Sequence, residues 1–170
     1  MKTVLIAAAA IIAVTGCASS FQSAPRIEAT LAPTQGNSTT GNVVFSEAGG
    51  KVRVQANITG LTPGVHGFHI HEKGDCSAAD ATSAGGHFNP TGAPHGSPSS
   101  GAHHVGDMPM LLADDKGHAK LDTELASLAL QGPHSIVGRA VIVHAQSDDF
   151  QTQPTGNAGA RVACGVVEAK

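Results

Sequence analysis

From Lys51 to Ile58 the chain alternates without a fault, reading Lys-Val-Arg-Val-Gln-Ala-Asn-Ile. A strict period of two sends every second side chain to one face, so this stretch predicts a β-strand with one apolar and one wet face. Arg26 to Leu31 alternates in the same way, as does Gly117 to Leu125, with Ala119, Leu121, Thr123 and Leu125 inward. Asn42 to Ser46 is apolar and β-branched, Ile136 to Val143 is an apolar run ending at His144, and Arg161 to Val167 closes the series. Gly49-Gly50, Leu61 to Gly64 and Gly132-Pro133 punctuate these runs, and Thr34 to Gly41 reads as turn material. No stretch carries a helical period of useful length. Roughly seven or eight short strands between turns predict an all-β class, a Greek-key β-sandwich or flattened barrel.

At 170 residues the chain suits one domain with a full-sized core, and a formal charge of −3 without a basic run gives no footprint for nucleic acid. The first segment stands apart. Met1-Lys2 carries a positive charge, Val4 to Val14 is continuously apolar, and small residues follow. The run is too short for an ordinary membrane span and has the anatomy of an export signal. Val14-Thr15-Gly16-Cys17 resembles a bacterial lipobox, in which the cysteine becomes the lipid-bearing first residue of the mature chain; a plain signal peptide cut near Ala18 to Ser20 is the alternative. The expected division is a signal peptide over 1–16, a lipid-anchored linker over 17–25 and the folded domain over 26–170. Ala18 after the cysteine resembles the sorting signal for outer-membrane delivery, so the expected location is the bacterial periplasm, anchored to the membrane through Cys17.

With 3 cysteines in the chain, assigning Cys17 to the lipid leaves Cys76 and Cys164. An exported chain meets oxidising conditions, which favours a disulfide between them over the alternative of two thiolate metal ligands. The 10 histidines far exceed what packing needs. In Gly67-Phe68-His69-Ile70-His71-Glu72 the period of two puts His69 and His71 on one strand face and Phe68 and Ile70 on the other, in the core. Two imidazoles side by side on a rigid strand are half of a copper or zinc site. Lys73 to Asp107 then loses all periodicity, yet it holds Cys76, His87, His95, His103, His104 and Asp107. A stretch that long without a core of its own, rich in ligand-type residues, is one that a metal would order.

His69-Ile70-His71, Gly86-His87-Phe88-Asn89-Pro90, His104-Val105-Gly106-Asp107, Val143-His144 and Gly156-Asn157-Ala158-Gly159-Ala160-Arg161-Val162-Ala163-Cys164-Gly165 resemble the copper/zinc superoxide dismutase family, in that family's order and over the span Arg26 to Val167. The resemblance implies copper ligands at His69, His71, His87 and His144, and zinc ligands at His87, His95, His104 and Asp107, so that His87 is shared. It implies that Asp148 links His69 to His95 behind the metals, and that Arg161 stands at the mouth of the copper site. It implies a disulfide from Cys76 to Cys164, superoxide as substrate and an oxidoreductase with His87 and Arg161 as catalytic residues. Pairing into a homodimer is compatible with it.

This donor set also makes chemical sense. Four nitrogens suit Cu(II), and three histidines with one aspartate make a closed tetrahedral zinc site. A guanidinium beside an open copper position would dock a small anion. A metal buffer or carrier on the same fold is the competing reading. His66 falls on the other parity from His69 and reads as a buried hydrogen-bonding residue, while His103, His118 and His134 read as surface or packing residues. The segment between Asp149 and Thr155 lacks the charged residues of the animal enzymes, which leaves Lys73 as the candidate to assist Arg161.

Overall fold

The computed structural model describes residues 26–99 and 101–170, so the signal segment, Cys17 and the linker lie outside the described residues. The strands are β1 (Ile27–Pro33), β2 (Thr40–Ala48), β3 (Lys51–Thr59), β4 (Gly64–His66), β5 (Phe68–His71), β6 (Leu111–Ala113), β7 (Ala119–Leu125), β8 (Ala140–His144), β9 (Arg161–Val166) and β10 (Glu168–Ala169). Among the described residues no α-helix occurs, only one 3-10 turn at Thr82–Ala84. The all-β expectation holds.

The strands follow the order β4-β6-β7-β3-β2-β1-β9-β8-β5, with β10 beside β1. The crossovers β3 to β7, β1 to β9 and β5 to β8 give it Greek-key character. Its two outermost strands, β4 and β5, are separated in the chain by Gly67 alone. Gly67 donates to the Gln146 carbonyl at 2.7 Å and accepts from the His144 N–H at 2.9 Å, so the sheet curls into a nearly closed, flattened barrel. A Cβ at Gly67 would sit 2.8 Å from Ala158 Cβ, which is why the bend takes glycine.

The period of two read from β3 is the burial pattern observed: Val52, Val54, Ala56 and Ile58 are buried and their neighbours exposed. They pack with Leu31, Val43, Phe45, Phe68, Ile70 and Val143 in one core. Each fully buried large apolar side chain contributes about 1.5–3 kcal/mol from area alone.

Three local expectations change. The strand read over Ile136 to Val143 starts only at Ala140, because Gly138 adopts φ 79° and the Arg139 N–H bonds back to the Ile136 carbonyl at 3.1 Å. Burial of Ile136 made its stretch look like a strand. β2 begins at Thr40, inside the expected turn. Gly41 is glycine for close packing, since a Cβ there would lie 2.5 Å from the Asn57 carbonyl oxygen and 2.6 Å from Ile58. Strands β4 and β6 are three residues each, too short to show a period.

Candidate metal centre

All four residues of β5 are buried, as expected of a strand with two occupied faces. Phe68 and Ile70 enter the core. His69 and His71 lie with ring centroids 6.3 Å apart, and His144, at the end of the neighbouring β8, lies 5.0 Å from His69 and 5.6 Å from His71. The long loop folds back so that His87 forms a bridge with His71, and its ring lies 3.9 Å from that of His69. Gly106 makes this return possible by packing against the Ile70 carbonyl, where a Cβ would collide.

The hydrogen bonds fix each imidazole. His69 donates Nε2–H to Asp148 Oδ2 at 2.6 Å, His71 donates Nδ1–H to the Gly85 carbonyl at 2.9 Å, and His144 donates Nδ1–H to the Gly159 carbonyl at 3.2 Å. His69 Nδ1, His71 Nε2, His144 Nε2 and His87 Nε2 are then buried without any hydrogen-bond partner. Leaving one buried polar atom unpaired costs about 1–3 kcal/mol, and four at one point make a built donor set for a cation. Their ligand atoms lie within 4.8 Å of one another. Burial lowers His69 to about 4, outweighing its Asp148 bond, lowers His144 to about 3, and pushes His71 well below the ordinary value. All three are therefore neutral near pH 7, with lone pairs available.

A second cluster shares His87. Asp107 Oδ1 lies 3.0 Å from His87 Nδ1, 3.0 Å from His95 Nδ1 and 3.4 Å from His104 Nδ1, and the last two-ring contact, His104 Nδ1 to His87 Nδ1, is 3.4 Å. A tetrahedron whose corners stand about 2.0–2.1 Å from its centre has edges of about 3.3–3.4 Å. Three imidazole nitrogens and one carboxylate oxygen at these spacings fit zinc. Asp107 Oδ2 accepts from the N–H groups of Gly96 and His104 at 3.1 and 2.9 Å, which fixes the carboxylate. Burial pushes the Asp107 carboxyl up, but the bonds from His87 and His95 hold it far below the usual carboxylate range.

Asp148 ties the clusters together. Its Oδ2 takes His69 Nε2–H, and its Oδ1 lies 2.9 Å from His95 Nε2. Burial lowers His95, but the hydrogen bonds and charges of Asp107 and Asp148 overcome it and raise the group to about 9.

Arg161 opens β9 and is held by its backbone neighbours. Its Nη1 and Nη2 donate to the carbonyls of Ala81 and Gly85, each at 2.6 Å. It lines a cleft of about 350 Å³ together with Thr34, Asn37, Asp80, Thr82 and Gly159. Cys76 and Cys164 form a disulfide that fastens the long loop to β9. His66 is buried, with its two ring nitrogens each 2.8 Å from a carbonyl oxygen, that of His144 and that of Thr62, so it serves as the buried hydrogen-bonding residue its parity predicts. His103 and His134 are half-buried and His118 is exposed. Sequence reasoning missed Gly85, whose carbonyl serves both His71 and Arg161. Its φ of 74° and ψ of −154° belong to a region open essentially to glycine, and the Gly85-Gly86 pair just before His87 was the available signal.

The family model for copper/zinc superoxide dismutase (SODC) matches residues 39–167. A superoxide dismutase [Cu-Zn] of Paramecium bursaria Chlorella virus 1 is 44% identical over 134 residues, covering 75% of this chain and 71% of that protein. Superoxide dismutase [Cu-Zn] 2 of Brassica juncea is 42% identical over 134 residues, covering 75% and 88%. A crystal structure described as the clock protein EA4 superposes with a TM-score of 0.79 at 42% identity, over 88% of this chain and 98% of that one. With a family match across most of the folded domain and donor clusters suited to both metals, this chain belongs to the copper/zinc superoxide dismutase family of oxidoreductases, which use copper and zinc.

Proposed function

We propose that His69, His71, His87 and His144 hold copper, that His87, His95, His104 and Asp107 hold zinc, and that His87 bridges the two metals while superoxide is converted to oxygen and hydrogen peroxide. The observation that carries this reading is the set of four buried, unpartnered imidazole nitrogens, one of them on a ring whose other nitrogen faces Asp107. When bound, copper supplies one-electron chemistry through its two oxidation states, and zinc, with only one, supplies a fixed charge on the far side of His87.

The chain's own residues do the rest. Arg161 carries a permanent positive charge, and the Gly85 carbonyl that accepts from its Nη2 also accepts from His71, which keeps the guanidinium on the His71 side of the cluster to attract a small anion. Whenever its Nε2, the nitrogen turned away from Asp107, is not coordinated, His87 would hold a proton there, which suits a reaction whose peroxide product needs protons. Asp148 keeps His69 in the tautomer that leaves Nδ1 free, and it holds His95 with the same carboxylate. In this reading the enzyme protects the bacterial envelope, with acyl chains on Cys17 anchoring it in the periplasm at the outer membrane; two or more chains on one residue give stable anchoring.

Metal analysis combined with a superoxide assay tests the activity. The expected result is copper and zinc in equal amounts, with His87→Ala losing zinc and most activity. Arg161→Ala keeps both metals but slows by about tenfold or more, and added salt slows the parent protein more than this variant. Copper-loaded protein that removed superoxide no faster than free copper would overturn the reading and leave a metal carrier. Mass spectrometry of the mature N-terminus tests the anchor: an unmodified chain starting beyond Cys17 rules it out.

A further inference from the structure

His95 stands in a stretch with no strand, so no sheet partner fixes its backbone. The other histidines of its cluster are better held. His87 bridges to His71 in β5, and the His104 N–H donates to Asp107. The backbone of His95 is instead gripped by one side chain from the loop between β8 and β9. The His95 N–H donates to Gln153 Oε1 at 2.8 Å, and Gln153 Nε2 donates to the His95 carbonyl at 2.9 Å. A primary amide presents a donor and an acceptor side by side, as a peptide group in a neighbouring strand does. Gln153 therefore completes for His95 the pair of bonds a β-ladder would otherwise supply.

The same loop holds the ring of His95. Phe150 stacks against it with centroids 6.4 Å apart and planes 27° from parallel, while Asp148 accepts at Nε2. Phe150 adopts φ 56°, an outlier for a bulky residue, and its N–H donates to Asp148 Oδ1 at 2.7 Å. The loop is braced from within: Asp149 accepts from the N–H groups of Gln151 and Thr152 and from the Thr152 hydroxyl. It thus forms a compact unit that contacts His95 at backbone, ring face and ring edge.

We propose that Gln153 is a positioning residue for the zinc cluster, acting as a surrogate strand partner that locks the backbone of His95 so that Nδ1 faces Asp107. The proposal rests on the reading that His95 ligates zinc. It gives the short loop between Asp149 and Thr155, which lacks lysine and glutamate, a task in metal retention. Removing the clamp lets His95 swing, and zinc then leaves faster although every ligand remains.

The test is zinc transfer from the holoenzyme to a chelator for the parent protein, Gln153→Ala, Gln153→Glu and His95→Ala, with the visible spectrum of the cobalt(II)-substituted zinc site as a second readout. Gln153→Ala should release zinc about 10–100-fold faster, as loss of an outer partner of a ligand does, and broaden the cobalt bands while copper content holds. Gln153→Glu keeps the shape and the acceptor for the His95 N–H but cannot donate to its carbonyl, so its rate should fall between the two. A parental release rate and cobalt spectrum in both Gln153 variants, with zinc lost in His95→Ala, would overturn the role of Gln153. Zinc retained at the parental level in His95→Ala would overturn the ligand assignment itself.

Discussion

Removing the disulfide tests how the long loop is held. Cys76 and Cys164 are 88 positions apart. In the chain-entropy account, a cross-link closing a loop of that length restricts the unfolded chain by about 15 cal/mol/K, or about 4.6 kcal/mol at 25 °C. A domain of this size has total stability of roughly 5–15 kcal/mol, so the bond represents about 30% or more of it. Cys164 is buried against Ala140 and Ile142, so replacing it adds a small packing loss of the same sign. The assay is urea unfolding of metal-free protein, parent against Cys76→Ala/Cys164→Ala, because bound metal would add stability to the folded state alone. With a urea slope of about 2 kcal/mol/M, the midpoint should fall by about 2 M or more. A loss under about 2 kcal/mol at unchanged slope would refute the argument, since it would mean the loop is already constrained in the unfolded chain or strained in the folded one. The metal-loaded variant carries a second consequence. The loop presents the Ala81 and Gly85 carbonyls to Arg161, so freeing it should lower activity while both metals stay bound.

Two further outcomes are expected. In the metal-free protein His95 is raised from 6.5 to about 9, so its protonated form stabilises the fold fully below pH 6.5 and that contribution is lost as pH rises through about 9. Zinc competes with this proton: zinc added at pH 7.5 should release about one proton per site by calorimetry in two buffers, and its affinity should rise with pH up to about 9 and then level off. Equal release at pH 7.5 and 10 would contradict the assignment. Gly85→Ala should cost about 1–3 kcal/mol in thermal unfolding, since φ 74° with ψ −154° is closed to alanine and the new Cβ meets Glu72, and it should weaken copper binding by turning the carbonyl away from His71. Parental stability and copper affinity in that variant would show that the carbonyl is dispensable.

The all-β class, the strand that presents His69 and His71, and the residues that gather into the two candidate donor clusters were legible in the chain because a period of two and a motif spacing are local properties. Alternation from Lys51 to Ile58 reports burial directly, and His69-Ile70-His71 on a strand can only put its two imidazoles on one face. Local pattern misleads where it is ambiguous: the apolar Ile136 reads as strand although Gly138 turns the chain, and Gly41 reads as turn although it makes room for Asn57 and Ile58. Tertiary structure alone decided which nitrogen of each histidine stays free. The partners that decide it are a carbonyl 14 positions from His71, a carbonyl 15 positions from His144 and a carboxylate 79 positions from His69. The clamp of Gln153 on His95 spans 58 positions and joins two loops with no period at all. A hydrogen bond between a side chain and a distant backbone needs only that the two arrive together, and no repeat in the chain encodes that meeting.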